Sequence, residues 1–198
     1  MILLLLACPA RLAFSQECSS SSKNVLSFGP SSTKSLSSPD QRWRLVEVGS
    51  KSANKNAALY MQDTRSTQNW EIATIERSGI AFWSEDSRRI LLRDQYAADD
   101  TRIRVFEVSG SSPKEIQGLD SKIRRAIYRH IPQNETTLWL YYPHVCFAAN
   151  DSSTIIAVAD APVAPKQGGK GKDFDLKLTV HLSPFHILVS AQKVSTFL

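Results

Sequence analysis

The residues whose chemistry could go beyond packing are four histidines and a few pairs of acidic or basic side chains. His130, His144, His181 and His186 could hold a metal or move a proton. No Cys or acidic ligand sits near His181 and His186 in sequence, and the chain offers no positive spacing for a metal site. Asp99 and Asp100 are adjacent in "YAADDTR" (96–102), where two carboxylates could act as acid and base or hold a cation; the plainer reading is a turn. A serine nucleophile calls for GxSxG at a strand-to-helix elbow, which the chain lacks. The loop "KQGGKGKD" (166–173) has neither the GxxxxGK[ST] order nor the helix needed to cradle a phosphate, and reads as exposed and flexible. Arg88, Arg89 and Arg93 form a small basic group that a strand would divide between its two faces. The expectation is a chain without cofactor or metal.

The densest basic cluster is Lys122, Arg124, Arg125 and Arg129, followed by His130, in "LDSKIRRAIYRHIP" (119–132). Ile123, Ile127 and Ile131 recur every four residues with Leu119 one turn earlier, which predicts one amphipathic helix near 119–131. Asp120 or Ser121 can cap its start, and Pro132 ends it. The basic face is a weak candidate for binding an anion or a membrane surface, or it is a solvated outer face. The net charge of +5 favours anionic partners, but the other basic residues are scattered, so no nucleic-acid partner is expected. In "WLYYPH" (139–144) Trp139 and Tyr141 share one face of a strand and Tyr142 takes the other. Exposed, such a row is a sugar- or protein-binding platform; buried, it is core.

Residues 1–15, "MILLLLACPARLAFS", read as a signal peptide cut before Gln16. The apolar run is too short for a transmembrane helix. Leu5-Leu6-Ala7-Cys8 offers the alternative of a lipid anchor at Cys8. Export to a secreted or periplasmic location would permit a disulfide between Cys18 and Cys146, while the plainer reading keeps Cys146 as a small buried hydrophobe. Residues 16–35 form a serine-rich stretch too polar to bury itself, read as a mobile leader, with Val25–Phe28 as an apolar island that suits a strand.

From residue 36 to 198, short alternating runs bounded by Ser, Asn, Asp and Gly predict a mainly β domain. Three stretches align on an aspartate: "SLSSPDQRWRLVEV" on Asp40, "AFWSEDSRRILLRD" on Asp86 and "CFAANDSSTIIAVAD" on Asp151. Each has an apolar residue four positions earlier (Leu36, Phe82, Phe147) and an aliphatic residue five positions later (Leu45, Leu91, Ile156). An aspartate at a tight turn accepts backbone N–H bonds and so replaces lost ladder partners, which makes each stretch a corner between two buried strands. The first group of strands reads as Val25–Phe28, Trp43–Val48, 57–63 and 70–76. The second spans 80–83, 89–94, 102–108 and 114–117, and the third 145–148, 154–160, 175–182 and 186–190.

These corners resemble the Ser-Pro-Asp-Gly turns of WD40-like β-propeller repeats of the kind found in the Tol-system periplasmic protein. Gln41, Ser87 and Ser152 stand where that family has glycine. The resemblance implies about three four-stranded antiparallel blades, as an incomplete propeller or a sandwich-like stack, with one inserted helix. It further implies an exported, non-catalytic binding or assembly module of the cell envelope whose partner is a protein. The alternatives are a secreted hydrolase-like enzyme with a propeller-type site, or an anionic-surface binder acting through the basic helix.

Overall fold

The computed structural model describes residues 25–28, 34–49, 56–98, 100–109, 112–184 and 186–194. The signal peptide, the leader as far as residue 24, Cys8, Cys18 and Asp99 lie outside these residues. Among them the chain is mainly β, in four antiparallel sheets with one α-helix, and none of the sheets closes into a barrel.

Strand β1 (Val25–Phe28) is followed by β2 (Ser35–Ser37), β3 (Trp43–Val48), β4 (Ala57–Asp63) and β5 (Asn69–Ile75), the last four forming one sheet in chain order. The second sheet takes β6 (Ser78–Trp83), β7 (Arg89–Gln95), β8 (Thr101–Ser109) and β9 (Ser112–Glu115), with β1 added to the free edge of β6. After helix α1 (Leu119–Tyr128) and β10 (Glu135–Thr137) come β11 (Tyr141–Ala148), β12 (Asp151–Asp160), β13 (Val163–Pro165), β14 (Asp175–Leu182) and β15 (Ile187–Lys193). Strands β11, β12, β14 and β15 make the third sheet, and β10 pairs with β13 in a small ribbon.

The three larger sheets stack face to face with the second in the middle. One core joins the first and second sheets: Trp43, Leu45, Leu59, Met61 and Ile75 meet Trp83, Ile90, Leu92 and Phe106. Another joins the second sheet, the helix and the third sheet through Leu91, Ile103, Val105, Ile123, Ile127, Tyr142, Phe147 and Ile155. A middle sheet must bury both faces, so Ile90, Leu91 and Leu92 are all fully buried and β7 loses the alternation of a half-exposed strand. The same cause gives β8 apolar side chains on both faces, Ile103 and Val105 on one and Phe106 and Val108 on the other.

The grouping of strands differs from the sequence expectation at one point. Val25–Phe28 does not open the first sheet; it pairs with β6, Leu26 against Ala81 and Phe28 against Gly79. Gly79 makes this possible, because a Cβ there would run into the Phe28 ring and stand 2.7 Å from the Arg93 carbonyl oxygen. The first sheet opens instead with β2, where Leu36 lies opposite Leu45. Three residues with a single leucine carry too little periodicity to be read as a strand.

The helix begins after Gly118, which holds φ 75° and offers no side-chain cap, so neither Asp120 nor Ser121 caps it. Its buried stripe is Leu119, Ile123, Ala126 and Ile127, and it packs on β8, β14 and β15, filling the wedge between the second and third sheets. No helix among the described residues is long and apolar enough to cross a membrane.

Candidate functional site

The acidic corners sit at equivalent places in the topology, each joining the first two chain-ordered strands of a four-stranded meander: β2 to β3, β6 to β7 and β11 to β12. Two of them share their hydrogen bonds. At the first, the buried Ser38 hydroxyl donates to Asp40 Oδ1 (2.6 Å) and accepts from Trp43 N–H (3.0 Å), while Arg42 N–H donates to Asp40 Oδ1 (3.1 Å). At the second, Ser84 donates to Asp86 Oδ1 (2.7 Å) and accepts from Arg89 N–H (2.8 Å), while Arg88 N–H donates to Asp86 Oδ1 (3.0 Å). Gln41 and Ser87 hold φ near +60°, a conformation that glycine adopts freely.

The third corner is a different hairpin. Asp151 Oδ1 still accepts the N–H two residues on, from Ser153 (2.8 Å), but Ala149 replaces the serine. The left-handed residue is Asn150, before the aspartate, and Phe147 pairs with Ile155 after a register shift. Aligning on the aspartate therefore matches the carboxylate's role at all three corners but the strand register at only two.

Successive corners are bonded to one another along one end of the stack. Asp40 N–H donates to the Ser87 hydroxyl (3.0 Å), Ser152 donates to Asp86 Oδ2 (2.6 Å), and Arg89 reaches the Ser152 carbonyl (2.9 Å). Partial burial pulls Asp40 and Asp86 upward, but bonds from Ser38 and from Ser152 and Ser84 outweigh it and leave both below the usual carboxylate value. Asp151 is lowered chiefly by the Ser153 hydroxyl and then by Thr154.

The charged groups that could do chemistry at the opposite end are committed to partners. Arg124 points back into the fold and binds Asp100 (3.0 Å) and Asp120 (2.7 Å), also donating to the Thr101 carbonyl (2.9 Å). Burial opposes the Arg124 charge, yet the bonds to Asp100 and Asp120 raise its pKa. Tyr96 donates to Asp100 Oδ2 at 2.5 Å, and burial with this bond pushes its phenol up to about 12. Fully buried Asp94 is raised by desolvation even though Arg102 stands 2.8 Å away. Arg104 grips Glu115 through two nitrogens, at 2.7 and 2.9 Å.

The helix thus divides the basic cluster: Arg124 is internal, whereas Lys122, Arg125 and Arg129 stay exposed. Arg88 is exposed at the second corner, and His181 bonds Thr154 at 2.8 Å on the third sheet. His130 and His144 are exposed on α1's far end and on β11. The structure does not bring these histidines together with Asp100 or Arg88 in any of three clefts among the described residues. No group of three His, Cys, Asp or Glu side chains there could hold a metal ion. Cys146 is disulfide-bonded, and it lies in β11 outside the shared core.

A cleft of about 280 Å³ opens at the end of the third sheet away from the corners, lined by Gln95, Ala98, Trp139, Tyr141 and Asp160. Trp139 is 41% exposed, Tyr141 is half-buried on the same face, and Tyr142 goes wholly to the core. Sequence reading found this aromatic pair but missed Asp160, which β12 brings opposite Tyr141. The only sequence signal was an aspartate ending one strand and another, Asp175, beginning the next. No protein-family model matches this chain, and no curated protein matches it.

Proposed function

We propose that the protein is an exported, non-catalytic binding or assembly module of the cell envelope, with about three WD40-like repeats arranged as an incomplete propeller. The observation that carries the reading is the pair of corners 38–43 and 84–89: the same serine, aspartate and left-handed residue make the same bonds at the same point of successive meanders. Among the described residues no further sheet stacks on the outer faces of the first and third sheets, and these suit a protein partner. The pairing of Asp100, Asp120, Asp94 and Glu115 with arginines supports a structural rather than catalytic use of the charged groups.

The Cys146 disulfide supports an oxidising compartment, and Cys18 is its partner in this reading. The test is to express the full chain with its leader in a bacterium and isolate it from the periplasm. Expected are a mature start at Gln16, a mass that rises on reduction by two hydrogens, and one saturable protein crosslink. A chain retained in the cytoplasm with free thiols would overturn the export reading. Turnover of ester or glycoside substrates by the purified protein would overturn the non-catalytic one.

A further inference from the structure

We infer that the cleft between Trp139, Tyr141 and Asp160 receives a lysine or arginine side chain from a protein partner. This rests on the binding-module reading and names the chemistry of one of its contacts. Tyr141, Asp160 and Asp175 stand directly opposite one another across three strands, Tyr141 against Asp160 and Asp160 against Asp175. Asp173 is close enough to act on both carboxylates. Among the described residues, none of the three makes an ion pair. By contrast Asp94, Asp100, Asp120, Glu107, Glu115 and Glu135 are each paired with an Arg or a Lys. In a chain of net charge +5, these neighbouring carboxylates form a local acidic patch.

Desolvation, and then the charge of its neighbours, raises Asp160; the same two causes raise Asp175. Like charges opposed on a sheet are destabilising, and an incoming cation would relieve them. The aromatic lining suits the same occupant, because a ring face attracts a cation held over it. Tyr141 already accepts one, with the Arg93 guanidinium 5.4 Å from its ring centre. Exposed Trp139 is the second ring beside the carboxylate. The cleft, at about 280 Å³, has room for one long side chain. A neutral sugar could stack on Trp139 but would leave the carboxylate repulsion in place.

The experiment follows the Trp139 indole N–H signal of the full mature protein by NMR while acetyl-Gly-Lys-Gly-amide or acetyl-Gly-Arg-Gly-amide is added at low salt. The expected result is a saturable shift that is absent with the Gly-Gln-Gly analogue. Affinity should fall about three- to fivefold in Asp160→Asn and weaken with added salt. Asp160→Asn removes a like-charge contact, so it should fold at least as well as the parent; its melting curve checks this. Equal binding of the glutamine peptide or of maltose, unchanged affinity in folded Asp160→Asn, or no shift with either cationic peptide would each overturn the inference. Export, the disulfide and the repeat would be untouched by any of these, so failure of the cleft is separable from failure of the module reading.

Discussion

Replacing Ser84 with alanine removes two hydrogen bonds at once, because one buried hydroxyl donates its single proton to Asp86 Oδ1 and accepts the Arg89 N–H. The carboxylate of Asp86 is partly solvated and can turn to water, so its loss is small. The Arg89 N–H accounts for most of the loss: a part-buried donor left without a partner costs about 1–3 kcal/mol. Ser84→Ala should therefore destabilise by about 2 kcal/mol, which in a chain of this size lowers Tm by about 4–8 °C. Ser38→Ala removes the same bonds around Trp43 and Asp40 and should cost the same to within about 1 kcal/mol. At the third corner Ser153 supplies only a solvent-exposed bond to Asp151, so Ser153→Ala should cost under about 0.5 kcal/mol. Urea unfolding of the three variants, with unchanged m-values, measures this series. A large loss at Ser84 with none at Ser38 would refute the reasoning, because the two hydroxyls make the same bonds.

Gly79→Ala should destabilise by about 1–3 kcal/mol in the same assay, since the added methyl must displace the Phe28 ring and meets the Arg93 carbonyl. Phe82→Ala and Phe147→Ala should both lower Tm, Phe147 more, because both rings belong to the core between the second and third sheets and Phe147 is the more buried. Arg124→Met should cost about 2–4 kcal/mol at neutral pH by leaving Asp100 and Asp120 unpaired. Adding Asp100→Asn to it should recover part of that loss. The pH dependence has two opposed parts. Asp40, Asp86 and Asp151 are lowered in the fold, so they contribute stability above pH 3.8 that is lost as pH falls through their folded values. Asp160 and Asp175 are raised, so the fold binds their protons more tightly and they cost stability above their folded values. Asp160→Asn should accordingly raise Tm at pH 7, and the gain should vanish below pH 3.8.

What the sequence shows depends on how locally each feature is determined. The helix is legible because Leu119, Ile123 and Ile127 bury one stripe at helical spacing within a dozen residues. The corners are legible for the same reason: an aspartate bonding the N–H two residues on is settled within the turn. The partner of β1 is not local. Its pairing with β6 is fixed by the space above Gly79, some fifty residues away, and four alternating residues would suit either sheet. The fate of Arg124 is equally non-local. From the helix alone it belongs to a basic face, but the β7–β8 turn delivers Asp100 and Tyr96 to its guanidinium. The cleft needs Tyr141, Asp160 and Asp175 in register, which no one stretch of chain contains.

Two departures from simple repetition bear on why the stack does not run on. At the edge of the middle sheet, β1 occupies the free side of β6, where a central strand would otherwise offer unpaired N–H and C=O groups to another chain. On the other flank, α1 packs on β8 and β15 and supplies Leu119, Ile123 and Ile127 to the core shared with the third sheet. Both additions are made where the second sheet would otherwise be incompletely covered, and both come from segments outside the three meanders. Among the described residues no such addition is made to the outer faces of the first and third sheets. It is there that Tyr60 and Val48 on one side, and Leu188, Trp139 and the unpaired carboxylates on the other, meet solvent. Because the Trp139 cleft is where the partner's cation is received, contact with a partner should protect amides of β11 and β12 from hydrogen exchange before those of β3 and β4. Equal protection of both outer faces, or protection of the first sheet alone, would move the contact away from the cleft.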